Sequence, residues 1–109
     1  MRTVLAGDLG GTKCRFALVG DDFSVHFVRR VETVRERAPF LAAFDAAVRE
    51  ILADADRAGL PRPLAAGFGT AGVVTKDGSS ITYAPNLPLD GFPLATHVAD
   101  RFGFRTALL

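Results

Sequence analysis

The chain opens on short apolar runs cut by glycine and aspartate. Thr3-Val4-Leu5-Ala6-Gly7-Asp8-Leu9 ends at Gly10-Gly11, the pattern of a strand entering a tight turn. A second run, Cys14-Arg15-Phe16-Ala17-Leu18-Val19, stops at Gly20-Asp21-Asp22. The third, Ser24 to Val31, alternates well enough for a strand with one face toward solvent, and the alternation puts His26 on that solvent face. Three consecutive strands joined by Gly/Asp turns predict an antiparallel meander.

The period then changes. Phe40, Phe44, Ala47, Val48, Ile51, Leu52 and Ala55 recur every three or four residues, while Asp45, Arg49, Glu50, Asp54 and Asp56 fall mostly on the other face, so an amphipathic helix is predicted. Pro39 suits its first turn, and Gly59 followed by Pro61 and Pro63 stops it. Leu64 to Gly69 is small and apolar without polar alternation, as in a buried strand. Val73-Val74-Thr75 and Ile81-Thr82-Tyr83 flank Lys76-Asp77-Gly78-Ser79, a hairpin signal. After a loop from Ala84 to Pro93, the residues Leu94, Val98 and Phe102 mark a short helix ended by Gly103, with His97 on its exposed side, and Arg105 to Leu109 begins another strand. The fold class is α/β: a mixed sheet with a three-stranded antiparallel meander, followed by helix-strand units. The last apolar run meets no polar terminator, so a partial chain is expected.

With 109 residues and 49% hydrophobic residues, the chain has enough apolar surface for one core. Lys+Arg 13 against Asp+Glu 12 leaves a net charge of only +1. That balance excludes a polybasic nucleic-acid tail and an acidic disordered segment. Cys14 is the single cysteine, which removes internal disulfides and cysteine-rich zinc sites. No stretch approaches the ~18 apolar residues of a membrane span. A cytoplasmic protein is expected, with neither nucleic acid nor membrane as a partner.

The strongest chemical signal is Asp8-Leu9-Gly10-Gly11-Thr12-Lys13, set between two apolar strands. Paired glycines let the backbone approach a phosphate with no Cβ in the way, and adjacent N–H groups can point at one anion. Thr12 adds a hydroxyl and Lys13 a cation, while Asp8 can hold a magnesium ion through water. The pattern alone fits an ordinary Gly-Gly hairpin equally well. A P-loop is excluded, because Thr12 stands where its second glycine is needed. Gly67-Phe68-Gly69-Thr70-Ala71-Gly72 spells a dinucleotide fingerprint, but it leads into Val73-Val74-Thr75 rather than into a helix, so it is read as a strand end with bare backbone. Arg29, Arg30, Arg35 and Arg37 are interleaved with Glu32 and Glu36, as on a solvated face, and Cys14 is expected to be a buried, unreactive thiol.

Three motifs in order resemble those of bacterial glucokinases of the ROK sugar-kinase family: Asp8 to Lys13, Gly67 to Val73, and Ala84-Pro85-Asn86-Leu87-Pro88. The resemblance covers nearly the whole chain. It implies the actin-like, RNase-H-like ATPase fold, in which two α/β domains clasp ATP and sugar, with residues 1–109 as the smaller N-terminal domain. By the same resemblance Gly10, Gly11, Thr12 and Lys13 take the ATP phosphates, Asp8 takes Mg2+, and Thr70, Gly72 and Asn86 line the cleft for glucose or a related hexose. Ala71 departs from many relatives, which carry proline there. The family's catalytic base, an Asp in an Asn-Asp pair, and its sugar-binding Glu and His lie beyond Leu109, in a region that includes the C-terminal domain. No catalytic residue is therefore assigned within the chain. A homo-oligomer stays open for the full-length protein. Two other classes also stay open. One is a sugar-responsive ROK regulator, which needs a helix-turn-helix ahead of the first strand where this chain has only Met1 and Arg2. The other is a non-catalytic actin-like nucleotide-binding module, against which Asn86 and its proline-rich loop weigh.

Overall fold

The glycine pair after Leu9 turns the chain back on itself, and the two flanking strands zip together from Leu9 opposite Cys14 to Thr3 opposite Gly20. In the computed structural model, which describes residues 1–109, these are β1 (Thr3–Leu9) and β2 (Lys13–Gly20). They are followed by β3 (Val25–Glu32), α1 (Arg37–Arg57), β4 (Ala65–Thr70), β5 (Val73–Val74), β6 (Ile81–Tyr83), α2 (Leu94–Phe102) and β7 (Arg105–Leu108). The main sheet has the order β3-β2-β1-β4-β7, with the meander antiparallel and β4 and β7 added parallel to β1. The expected meander and helix-strand units are present. β5 and β6 form the predicted hairpin, with Gly78 at φ 72 in its turn.

Both helices lie on one face of this sheet. Leu5, Leu9, Phe16, Leu18 and Phe68 point into that side and are fully or almost fully buried. Phe44 of α1 meets Phe16 edge-on at 5.2 Å and Phe68 at 5.2 Å, an aromatic centre worth more than its buried area alone. Gly7 is small for a packing reason, since a Cβ there would stand 2.5 Å from Phe68 Cδ1. Alternate residues of the same strands form the opposite face, where Val4, Val25 and Val28 are exposed.

Three polar residues depart from expectation. His26 is not on the solvent face: the β2–β3 register shifts between Phe16 and Leu18, and Phe27 adopts φ 56 at this bulge. One extra residue rotates the alternation, so His26 sits opposite Leu18 on the helix side, half-buried, with its ring Nε2 2.7 Å from Ser24 Oγ. Asp45 is not on the polar face of its helix but 4% exposed. Its carboxylate accepts from His97 Nε2 at 2.9 Å and Arg101 Nη1 at 3.2 Å. His97 is correspondingly half-buried rather than exposed, between the rings of Phe44 and Phe92. The reason is that α1 is covered twice, by the sheet and by α2, which widens its buried arc beyond one apolar stripe. The arginine run is also less free than expected: Arg29 pairs with Glu50 and Asp54 and ties β3 to α1.

Candidate functional site

β1 and β4 run parallel, so their carboxyl ends lie side by side, Leu9 beside Thr70. Ligands in open α/β sheets bind at such ends. The β1–β2 turn, the segment after β4 and the loop after β6 all gather there. Ala71 N–H donates to the Leu9 carbonyl at 3.0 Å, which holds the second segment against the first.

The turn is built from the backbone outward. Gly10 N–H donates to the Lys13 carbonyl at 3.1 Å, and a Cβ on Gly10 would stand 2.8 Å from that oxygen. The Gly10 carbonyl in turn accepts from Thr33 Oγ1 at 2.7 Å, and Thr33 N–H donates to the Thr12 carbonyl at 2.9 Å. Thr33 therefore pins the turn from the far end of β3, a role with no signal in the sequence. Cys14, beneath the turn, is buried as expected; burial pushes its thiol up, against weaker pulls from its hydrogen bonds to Thr33 and Gly10.

With the turn fixed this way, the N–H groups of Gly11 and Thr12 donate to no group of the protein. Thr12 and Lys13 are exposed, and Lys13 takes part in no ion pair. Asp8 emerges on the open face of the sheet, in register with Arg15 on one side and Gly69 on the other, and is likewise unpaired. A Cβ on Gly69 would reach to 3.9 Å from Asp8 Oδ1, so the glycine keeps the flank of that carboxylate bare. Nowhere do three or more His, Cys, Asp or Glu side chains gather as a metal cage. A lone carboxylate suits a magnesium ion that keeps its waters and takes phosphate oxygens as further ligands.

The sugar-side candidates divide. Asn86 lies against the turn: a Cβ on Gly11 would stand 2.6 Å from Asn86 Cβ, so Gly11 is a glycine partly because Asn86 is there. Gly72 packs under the hairpin, where a Cβ would stand 2.7 Å from the Tyr83 carbonyl oxygen. Thr70 is engaged just past the end of β7, its hydroxyl donating to the Leu109 carbonyl at 3.2 Å. The Gly67 to Gly72 segment runs from β4 into β5 without opening a helix, which rules out the dinucleotide fingerprint.

An antiparallel meander extended by parallel strands, with a glycine turn between its first two strands at the carboxyl end, is an architecture of the actin-like ATPase fold. Within that class the chain matches the ROK family over residues 4–109, and it belongs to that family. A ROK family glucokinase from Streptomyces griseus, solved with glucose and AMPPNP, superposes with a TM-score of 0.83 at 25% identity, covering 97% of this chain and 32% of that one. The ROK hexokinase from Thermus thermophilus gives 0.79 at 26% identity, with 98% and 34% covered. A ROK family transcriptional regulator, a homologue of the E. coli MLC protein, shares the fold with a TM-score of 0.83 at 17% identity, with 97% and 27% covered. The chain thus spans about a third of the length of these proteins. No curated protein sequence matches it. No helix is long and apolar enough to cross a membrane.

Proposed function

We propose that residues 1–109 are the small N-terminal domain of a cytoplasmic sugar kinase that transfers the γ-phosphoryl group of ATP to the 6-hydroxyl of glucose. The observation that carries this reading is the turn itself: two adjacent N–H groups without protein partners, flanked by a free hydroxyl, a free ammonium and a free carboxylate, with Asn86 in contact. The likeness to a glucokinase solved with glucose and AMPPNP supports it. Bound magnesium and ATP supply the transferable group and a divalent charge against the developing negative charge. The chain's own part is to bind and orient: Gly10, Gly11, Thr12 and Lys13 hold phosphate oxygens, Asp8 holds a magnesium-bound water, and Asn86, Thr70 and Gly72 face the hexose. In this reading the base that takes the sugar proton lies on an Asp beyond Leu109, and a second domain closes the cleft against water.

A coupled assay on the protein at its natural length tests this. Glucose, ATP and magnesium are expected to give turnover, while the 109-residue chain alone gives none. Gly11→Val is expected to lower kcat/KM roughly tenfold or more for ATP and for glucose together, because the new methyls meet both the phosphate path and Asn86. Asp8→Asn shifts the magnesium dependence to higher concentration. Glucose binding without any ATP consumption would instead favour a ROK regulator, a reading kept alive by the regulator that matches this fold as well as the glucokinase does.

A further inference from the structure

The loop from Ala84 to Pro93 presents Asn86. Its far end is tied to β6, where Gly91 N–H donates to the Ile81 carbonyl at 2.7 Å and the Phe92 carbonyl accepts from Ile81 N–H at 3.2 Å. The stretch from Ala84 to Asp90 that carries Asn86 has only local hydrogen bonds of its own, Asp90 Oδ1 accepting from Ala84 N–H at 2.7 Å and Leu87 N–H donating to the Ala84 carbonyl at 3.4 Å. Leu87 and Leu89 plug it into the core. The carbonyls of Pro88 and Asp90 point the other way, and no backbone N–H reaches either of them. Both are met by one side chain from the first residue of α1. Arg37 Nε donates to Pro88 O at 2.9 Å and Nη2 to Asp90 O at 2.7 Å, while its guanidinium lies 5.3 Å from the centroid of the Phe92 ring.

We propose that Arg37 is a positioning residue: its fork holds the Ala84–Pro93 loop so that Asn86 stays seated against Gly11, which ties the sugar side of the cleft to the phosphate turn. This rests on the sugar-kinase reading for the meaning of Asn86, but the holding itself does not. The fork shape matters. Two carbonyls flanking the buried Leu89 are spaced for a planar guanidinium with several donors in one plane, whereas a lysine ammonium is a single point on a flexible stem. The same commitment explains why Arg37 is not a free cation for ligands in the open groove of about 500 Å³ that it shares with Pro85 and Pro88: its donors are already directed at the loop. The α1 backbone behind Arg37 is fixed independently by Phe40 and Phe44 in the core, so loss of the guanidinium should loosen the loop and not the helix.

The test uses Arg37→Met, which keeps an apolar stem over Phe92, and Arg37→Lys, both in the protein at its natural length. Amide hydrogen exchange is followed at Ala84, Leu87 and Phe92 and, as a control, across α1. In Arg37→Met the loop amides are expected to exchange several-fold faster with α1 unchanged, as loss of two charge-assisted hydrogen bonds at an exposed site implies. KM for glucose rises several-fold, KM for ATP changes by less than about twofold, and Arg37→Lys recovers part of the loss. Asn86→Ala separates the two ideas: it weakens glucose binding while leaving loop exchange at the wild-type rate. If the wild-type protein binds no hexose, the sugar-kinase reading fails and exchange alone judges the clamp, faster loop exchange supporting it. Unchanged loop exchange in Arg37→Met overturns the proposal in either case. So does faster exchange with an unaltered KM for glucose in an active enzyme, or an equal loosening of α1.

Discussion

The two faces of the five-stranded sheet are made from alternate residues of the same strands, and they use them in opposite ways. Toward the helices, Leu5, Phe16, Leu18 and Phe68 disappear from solvent against Phe44, Val48 and Ile51. Toward the other side, Val4, Val25 and Val28 stay 41%, 60% and 49% exposed, with Asp8 and Arg15 among them. The covered face holds the domain together. The uncovered face carries the Asp8 carboxylate and a shallow apolar depression reaching Ala17, Val25 and Val28. Stability and chemistry are thus separated by side-chain parity along each strand.

Substitutions sharpen that contrast. The largest effect is expected for Phe44→Ala, which opens a cavity between Phe16 and Phe68 and should lower unfolding free energy by about 3–5 kcal/mol in urea titration. A loss under about 1 kcal/mol would mean that the aromatic centre collapses freely and that the covered face is less committed than its burial implies. Next comes Asp45→Ala, which removes the acceptor shared by His97 and Arg101; about 2 kcal/mol is expected, since Arg101 is half exposed and can turn to water. Calorimetric unfolding of the single and double variants with His97→Ala would show the coupling.

Smaller still is an acid effect away from both faces. In the β5–β6 hairpin Asp77 accepts from Thr75 Oγ1 at 2.6 Å and from Ser79 N–H and Oγ, and those hydrogen bonds hold its carboxyl at about 2 rather than 3.8. Because the folded value is lowered, its contribution is complete above the ordinary carboxylate range and is lost as pH falls through about 2. An NMR titration of the Asp77 carboxyl that turned near 4 would contradict the turn geometry. The smallest effect is expected for Val28→Thr on the open face, within about 0.5 kcal/mol of wild type. A larger loss, growing with protein concentration, would reveal that this face is buried against another molecule in solution.

Much of this was legible in the sequence, and what escaped did so for physical reasons. The element order, the Gly10-Gly11 turn, the Asp77-Gly78 hairpin and the Gly103 helix end follow from periodicity and turn chemistry, which are local. His26 escaped because a bulge at Phe27 inserts one residue into an otherwise regular alternation, and no residue type announces it. Asp45 and His97 escaped because a helix covered on two sides buries positions that a single apolar stripe leaves polar. At the candidate site, the turn residues stand out by their chemistry alone, whereas Thr33 and Arg37 act through contacts distant in sequence, and the meeting of Gly11 with Asn86 depends on the whole sheet order.

The bulge in β3 has a consequence for the behaviour of the molecule among its own copies. β3 is an outer strand of the main sheet, so its free side presents backbone groups to any passing strand. With Phe27 turned to a left-handed conformation in mid-strand, and Arg30 and Glu32 following it, that rim is neither straight nor neutral. A second extended chain cannot lie along it in register for more than a few residues. The kink that misleads a reading of His26 thus also caps the sheet at that end, directing aggregation away from strand-to-strand growth there.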